Sequence, residues 1–205
     1  MSDNHPVPLR FPIVLALSII CLAAHAWADF QAGVDANNRG DYSTALREWR
    51  PLAEQGMVAA QFNLGQLYAH GQGVPQDYVQ ARQWWEKAAV LGDEEAAANL
   101  GTLYLNGQGC VQDYQKALDW FRRAATRGNA MAFTNLGLMY EHGSGVPQDY
   151  VRACMWYILG TAHGDKLGTE RGDALAKRMT PAQLFQAQQR AREWMPKNNE
   201  QRTTH

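Results

Sequence analysis

The sequence has almost no net charge and no apolar run long enough to cross a bilayer. It holds 19 lysines and arginines against 20 aspartates and glutamates, a formal net charge of −1 at pH 7. This balance gives no electrostatic reason to expect a nucleic acid or an anionic membrane surface as the partner. The longest apolar run, Ile13 to Ala24, has 12 residues, whereas a membrane-spanning helix needs about 20.

The short apolar run has the features of a secretory signal. Arg10 precedes it and Ala26-Trp27-Ala28 follows it, which gives a charged segment, an apolar segment and a small-x-small cleavage site. We therefore predict a leader of residues 1–28, cleaved after Ala28, and no membrane span in the mature chain. Because Arg10 is the single basic side chain before the run, an uncleaved membrane anchor is the alternative.

The strongest positive feature is a unit of 36 residues that occurs three times. A shift by 36 residues brings identical side chains into register along the whole unit. Such a period is typical of a stacked array of helical units. The identical positions include Leu64, Leu100 and Leu136; Gly65, Gly101 and Gly137; Tyr68, Tyr104 and Tyr140; Asp77, Asp113 and Asp149; Ala81, Ala117 and Ala153; and Trp84, Trp120 and Trp156.

The residue pattern of each unit predicts two helices joined by a glycine-containing loop. In the first copy the first helix ends at His70-Gly71-Gln72-Gly73, where glycine can adopt the left-handed backbone of a helix end. Asp77 then supplies an N-cap for the second helix. Glycine inside the first helix costs about 1 kcal/mol relative to alanine. Its recurrence therefore predicts close contact with the paired helix, with Ala81, Ala117 and Ala153 opposite Gly65, Gly101 and Gly137.

These motifs resemble the Sel-one-like repeat family, a relative of the tetratricopeptide repeats with a longer loop between its helices. The resemblance rests on Leu-Gly-x-x-Tyr, Gly-x-Gly-Val-Pro-Gln-Asp-Tyr, Ala-x-x-Trp and Ala-Ala-x-x-Gly, between Ala59 and about Asp165. It implies an all-α, right-handed α–α superhelix that holds other proteins rather than performing chemistry. In that family such a leader implies export from a bacterial cytoplasm. The expected location is the periplasm or the exterior, with an inner-membrane anchor as the alternative.

The domain order follows from where the period begins and ends. Gly33 and Ala45 are 12 residues apart, whereas Gly65 and Ala81 are 16 apart, so the terminal unit has a shorter loop. Thr180-Pro181-Ala-Gln183 is a strong helix start, and Pro196 is expected to end that helix. The predicted divisions are a short-loop unit at 29–56, three repeats at 57–92, 93–128 and 129–165, capping helices at 166–196 and a disordered tail at 197–205.

Groups able to perform catalysis are scarce. Beyond the leader the serines are Ser43 and Ser144. Neither begins Ser-x-x-Lys, the signature of the serine that is acylated in penicillin-binding proteins and class A β-lactamases. His70 and His142 lie two units apart, too far to share a metal. We therefore predict no catalytic residue, no metal and no cofactor. Because some members of the resembling family have been described as penicillin-binding or weakly β-lactamase-active, such a hydrolase is an alternative.

Two further side-chain pairs leave alternatives open. Cys110 and Cys154 lie in different units, and they are either bridged across a unit boundary or two inert thiols. Trp84 and Trp85 are adjacent in a helix and cannot point the same way. One ring is expected at an inter-repeat seam or partly exposed.

One recurring polar position suggests a binding surface. Asn63, Asn99 and Asn135 precede Leu-Gly in each first helix, although asparagine is a poor helix residue. In the related tetratricopeptide repeats this place faces the inner groove and can bond the backbone of a bound peptide. The alternative is a bond to the neighbouring repeat that fixes stacking. The same inner face is expected to carry Gln66, Thr102, Leu138, Glu95, Met131 and Glu141.

Together these observations predict an exported, monomeric and non-catalytic scaffold. Its partner is expected to be a protein or peptide bound to Asn63, Gln66, Asn99, Thr102, Asn135 and Leu138 on the concave face. Besides the hydrolase, the remaining alternative is a structural component of a cell-envelope assembly without a peptide groove.

Overall fold

The computed structural model describes the backbone from residue 11 to residue 202 and the side chains from residue 24 to residue 194. The described chain is helical, without a strand between residues 11 and 202. Its helices are α1 Phe11–Asn38, α2 Tyr42–Glu54, α3 Val58–His70, α4 Tyr78–Val90, α5 Glu94–Asn106, α6 Tyr114–Thr126, α7 Ala130–His142, α8 Tyr150–Ala162, α9 Lys166–Ala176 and α10 Pro181–Arg202.

The helices pack in sequential pairs that stack on one another. Each first helix packs on its own second helix, as α3 does on α4, and each second helix packs on the next first helix, as α4 does on α5. Contacts therefore join neighbours along the chain, which is the organisation of a solenoid. The predicted all-α solenoid fold is confirmed.

Short polar side chains begin the helices where the sequence predicts them. Asp77 Oδ1 accepts hydrogen bonds from the backbone N–H groups of Val79 at 2.9 Å and Gln80 at 3.0 Å. Asp113 and Asp149 cap α6 and α8 in the same way. Each cap satisfies backbone donors that have no partner within the helix.

The loop between paired helices is held to the end of the first helix by hydrogen bonds from its polar groups. Gly71 and Gly73 adopt φ values of 65° and 71°, which other residues rarely do. The Asp77 N–H donates to the Tyr68 carbonyl at 2.9 Å, and Gln76 Nε2 donates to the Ala69 carbonyl at 2.7 Å. The same bonds recur in the next two loops.

Each long loop also rests on the unit before it. A Cβ added to Gly73 would lie 2.8 Å from the carbonyl carbon of Tyr42, the first residue of α2. Gly109 approaches Tyr78 in the same way, at the start of α4. The loop glycines therefore allow a backbone-to-backbone contact between successive units.

The helical glycines lie against aromatic rings of the paired helix, not against the predicted alanines. A Cβ on Gly101 would lie 2.6 Å from the Phe121 ring. The prediction named the correct helix but the wrong residues, because the ring four positions after each alanine covers the bare backbone. The other pairs are Gly33 with Trp49, Gly65 with Trp85 and Gly137 with Tyr157.

Both adjacent tryptophans are buried, in different clusters. Trp84 is 9% exposed and packs with Trp49 and Leu52 of the preceding unit. Trp85 is 4% exposed, and its Nε1 donates to the Phe62 carbonyl at 3.2 Å beside Gly65. The expectation of one ring at an inter-repeat seam is confirmed for Trp84.

Tyrosine hydroxyls join successive units in a way that the sequence does not predict. Arg50 Nη2 donates to the Tyr68 hydroxyl at 2.7 Å. The equivalent bonds are Tyr104 to Glu86 at 3.2 Å and Arg122 to Tyr140 at 3.3 Å. In each case a second helix bonds to the next first helix, so the bond fixes the stacking of units.

The last two helices cover the third repeat. Leu175 of α9 and Ala187 and Ala191 of α10 are buried in the cluster that contains Phe133 and Trp156. The predicted capping box is confirmed. Thr180 N–H donates to Gln183 Oε1 at 2.9 Å, and Gln183 N–H donates to Thr180 Oγ1 at 3.3 Å.

The C-terminal end of the chain differs from the sequence prediction in helix length. α10 continues through Pro196 to Arg202, so the predicted helix end and the disordered tail are wrong as far as residue 202. A proline removes one helical hydrogen bond, and α2 continues through Pro51 in the same manner. The side chains of the apolar run up to residue 23, with residues 1–10 and 203–205, lie outside the described chain.

The two cysteines of the repeats are free thiols. Cys154 is buried, and Cys110 lies 3.7 Å from the Leu103 carbonyl oxygen. Burial raises the pKa of both thiols, which lowers the fraction of reactive thiolate. Of the two alternatives, the structure therefore supports inert thiols.

The contact between Gly101 and Phe121 generates a stability prediction. Gly101→Ala should destabilise the protein by about 1–3 kcal/mol, the usual cost of overpacking, although alanine is the better helix former by about 1 kcal/mol. The measurement is the free energy of unfolding in urea. In a Phe121→Leu background most of this cost should disappear, and an equal cost in both backgrounds would contradict the assigned contact.

Candidate functional site

The predicted binding residues occupy two positions, three residues apart, on the first helices α3, α5 and α7. Residues with this spacing share one helix face. All six are partly exposed: Asn63, Gln66, Asn99, Thr102, Asn135 and Leu138. In the described chain α5 contacts α7 and α7 contacts α9, whereas no comparable contact joins α4 to α6. Over α5, α7 and α9 the first helices are therefore more closely spaced than the second helices α4 and α6, as the inner layer of a curved array is.

The three recurring asparagines do not bond to a neighbouring repeat. Asn135 Nδ2 donates to the Met131 carbonyl of its own helix at 3.0 Å. The side chains of Asn63 and Asn99 make no hydrogen bond to any residue of the described chain. Thr102 Oγ1 donates to the Ala98 carbonyl at 3.2 Å, also within its helix. The bond to the neighbouring repeat that the stacking alternative requires is thus missing at all three positions in the described chain.

Two cavities open on this layer and divide the predicted residues between them. One of about 220 Å³ brings Asn63 and Gln66 together with Asn37, His70 and Gln72. The other, of about 420 Å³, contains Asn135 with Met131, Thr134, Asp165 and Leu167. Asn99, Thr102 and Leu138 line neither cavity. The structure therefore places three of the six predicted residues, Asn63, Gln66 and Asn135, in two separate pockets at opposite ends of the layer.

The acidic residues of the first helices differ in orientation. Glu141 was expected on the inner face, but its carboxylate accepts a hydrogen bond from the Tyr157 hydroxyl at 2.6 Å, and its side chain is 12% exposed. It belongs to the helix interface, because the ring opposite Gly137 carries a hydroxyl that needs an acceptor. Glu95 is exposed. Partial burial, with the neighbouring Asp93 and Glu94 carboxylates, raises the pKa of Glu95.

A third cavity, which the sequence does not predict, lies between α8 and α10. It measures about 280 Å³ and contains Arg152, Trp156, Arg190 and Trp194. Because α10 lies outside the repeats, the period gives no information about where it packs. The cavity could not have been found from the sequence.

The described residues hold no arrangement typical of a metal centre. No group of three or more His, Cys, Asp or Glu side chains is placed to hold a metal between residues 24 and 194. Ser43 Oγ donates to Asp41 Oδ1 at 3.0 Å within the N-cap of α2. Over the same described residues, no helix combines the length and apolar character needed to cross a membrane.

Comparison with known proteins gives a consistent result. The family model described as Sel1 repeat matches residues 58–93, 94–129 and 130–165, one residue later than the predicted starts. The crystal structure of a Sel1 repeat protein from Oxalobacter formigenes is 31% identical, with a TM-score of 0.65 over 70% of this chain and 59% of that one. A protective antigen present in uropathogenic Escherichia coli strains, displaying an SLR fold, is 28% identical, with a TM-score of 0.51 over 88% of this chain and 48% of that one.

The chain thus spans 59% and 48% of the length of these two solved structures. No curated protein shows a significant match.

The bond between Tyr157 and Glu141 generates a pH prediction. Burial, and then the Glu141 carboxylate, raise the pKa of Tyr157 above the value of about 10 that an unfolded tyrosine has. The stabilising effect of this group is therefore complete below about pH 10 and is lost as the pH rises further. The free energy of unfolding should fall there by up to about 1.4 kcal/mol per pH unit.

The test is urea unfolding between pH 8 and pH 12 for the wild type and Tyr157→Phe. The variant should show a shallower alkaline decline, because it cannot ionise at this position. Tyr114→Phe, which changes an exposed ring, is the matched control and should decline like the wild type. Identical curves for all three proteins would contradict the prediction.

Proposed function

Because the chain belongs to the Sel1 repeat family, we propose that it is a non-catalytic scaffold that holds a partner protein by an extended peptide segment on its inner face. Sel1 repeats generally mediate protein interactions. The inner face is the layer of first helices α3, α5, α7 and α9. The proposed contacts are those of Asn63, Gln66, Asn99, Thr102, Asn135 and Leu138, and the scaffold acts as a monomer.

The proposal depends on the exposure and the hydrogen bonding of the Asn63 and Asn99 side chains. Both carboxamides are partly exposed and have no hydrogen-bond partner in the described chain. A carboxamide can donate and accept, as the backbone of an extended peptide requires. Asparagine weakens a helix, and with no stacking bond to offset that cost, a ligand contact is the better explanation.

The dimensions of the layer suit a short peptide. Neighbouring helices pack about 8–10 Å apart, so the path from α3 to α9 is about 27 Å long. An extended chain rises about 3.3 Å per residue, which corresponds to roughly eight residues. The tied loops and stacked units keep this layer in place before binding, and a preformed site loses less free energy to ordering.

The first test is Asn99→Ala. Loss of one or two hydrogen bonds should weaken binding of the partner about three- to tenfold. The thermal midpoint should stay within about 5 °C, because the Asn99 side chain makes no hydrogen bond in the described chain. A photo-reactive amino acid at position 102, compared with one at position 123 on α6, identifies the partner and the bound face. The affinity of the purified partner is then measured for the wild type and for Asn99→Ala.

Asn106→Ala is the matched control, since Asn106 is exposed at the end of the same helix and outside the proposed contacts. It should bind like the wild type. Cross-links confined to position 123 would instead favour a structural component of an envelope assembly. A large loss of stability without a binding defect would assign Asn99 to the stacking of units.

Export is the second part of the proposal. α1 is continuous through the predicted cleavage site after Ala28, and Phe30 and Gly33 pack against Trp49 beyond it. Cleavage there would keep these two contacts in the mature chain. The expected location, from the leader pattern, is the periplasm or the exterior.

This prediction is checked by expressing the full chain in a bacterium and measuring the mass of the product in the periplasmic fraction. The mature protein should begin at Asp29. A variant with both Ala26→Asp and Ala28→Asp should stay uncleaved and membrane-bound, because these side chains are too large for a signal cleavage site. Wild-type chain found at full length in the membrane fraction would favour the inner-membrane anchor.

A further inference from the structure

The cavity at the α1–α3 end of the inner layer differs in composition from the cavity around Asn135 at the other end. Its polar lining consists of four carboxamides and one imidazole, above the apolar side chains of Phe62, Leu67 and Trp49. We call it the amide pocket and define it by its polar residues Asn37, Asn63, Gln66, His70 and Gln72. Its volume of about 220 Å³ equals that of roughly seven water molecules, enough for one peptide side chain.

None of these five side chains makes a hydrogen bond to another residue of the described chain. The glutamines of the loops behave differently, because Gln76, Gln112 and Gln148 all donate to helix carbonyls. Gln61 likewise donates to the Ala53 carbonyl at 3.0 Å. The amides that hold the fold together are thus paired, and those of the amide pocket are not.

Repeat packing does not account for the pocket either. The positions of Gln66 and Gln72 hold Thr102 and Gln108 one unit later, and Leu138 and Ser144 two units later. Asn63 recurs in all three copies, His70 at His142 and Gln72 at Gln108, whereas Gln66 does not recur. The period therefore does not supply this combination of side chains. Asn37 comes from α1, which lies before the three repeats.

The chemistry of the lining limits the ligand. No Asp, Glu, Lys or Arg borders the cavity, so an ionised group would lose hydration there without gaining a counter-charge. Carboxamides both donate and accept, and their complement is a neutral group that does the same. The side chains of glutamine and asparagine fit this description, whereas those of glutamate and aspartate do not.

We propose that the amide pocket binds a glutamine or asparagine side chain of the bound peptide and discriminates against the corresponding acids. The proposal rests on the proposed function, since it names the residue type that this end of the inner face selects. The pocket lies at the α1–α3 end, so it determines which part of an extended peptide is placed there.

The test uses small probes and therefore does not require the partner. N-acetyl-glutamine N-methylamide and its glutamate counterpart are titrated into the isotope-labelled protein, and the side-chain amide signals of Asn63 and Gln66 are followed by NMR. The glutamine probe should shift these signals and bind at least about tenfold more tightly than the glutamate probe, since a carboxylate loses hydration in the pocket without gaining a counter-charge.

The variant Gln66→Thr with Gln72→Ser carries the residues found at Thr102 and Ser144 of the same fold, so it should remain folded. It should lose at least about fivefold in affinity for the glutamine probe. Gln108→Ser is the matched control, because it changes the repeat position of Gln72 outside the amide pocket, and it should bind like the wild type.

Equal affinity for the two probes, no shift at up to 50 mM probe, or unchanged binding by the double variant would each overturn the proposal. Binding of N-acetylglucosamine in place of the glutamine probe would also overturn it, since the pocket would then be a sugar site. Failure of the proposed function is distinguishable. If the proposed function is wrong, the partner should cross-link on α6 while the probes still bind as expected. If the amide pocket alone is wrong, binding of the partner should depend on Asn99 but not on Gln66 or Gln72.

Discussion

Each hairpin of this protein depends on the contact between a helical glycine and an aromatic ring of the paired helix. Without a Cβ, the first helix offers bare backbone on which the ring lies, and the ring sets how closely the two helices approach. The ring is a tryptophan against Gly33 and Gly65, a phenylalanine against Gly101 and a tyrosine against Gly137. Where it has a polar group, that group donates to the first helix, as Trp49 does to the Phe30 carbonyl and Tyr157 does to Glu141. The spacing is therefore kept while the ring varies.

Once the hairpins are formed, two kinds of contact join them into one array. The loop of each long-loop unit rests on the second helix of the preceding unit, and a tyrosine hydroxyl bonds the next first helix to that same second helix. Both contacts act between neighbours, so the geometry of the inner layer is the sum of small, repeated steps. A layer of this kind presents the side chains of α3, α5 and α7 in fixed register, which is the physical basis of the proposed peptide-binding face.

Local signals in the sequence predicted most of the fold. The period, the aspartate caps, the glycine loops and the capping box at Thr180 each depend on residues close together in the chain, and all appear in the structure. Long-range partners were harder to assign. Ala117 and Phe121 lie on the same face of α6, so spacing alone could not show which of them meets Gly101. Glu141 looked like an inner-face residue until Tyr157 was seen to bond it. Pro196 was predicted to end its helix because proline has a low helix propensity, but propensity describes one residue and α10 continues on both sides of it.

The same reasoning separates the two parts of the binding surface. Asn63 and Gln66 could be selected from the repeat pattern. Their neighbour in the pocket, Asn37, could not, because it lies in α1 and comes near them only through the stacking of units. The sequence thus located the layer, and the structure divided it into pockets of different chemistry.

The docking of each loop on its predecessor has a consequence for how such an array changes length. An internal unit brings its own loop and also offers the start of its second helix to the unit that follows, so a duplicated copy of 36 residues can be inserted without altering either end. The connection between α1 and α2 is short and makes no such contact, since a Cβ added to Gly40 would meet no atom of the described chain within 4 Å. Growth by internal duplication preserves both termini, whereas loss of the first unit leaves the loop at Gly73 without a support.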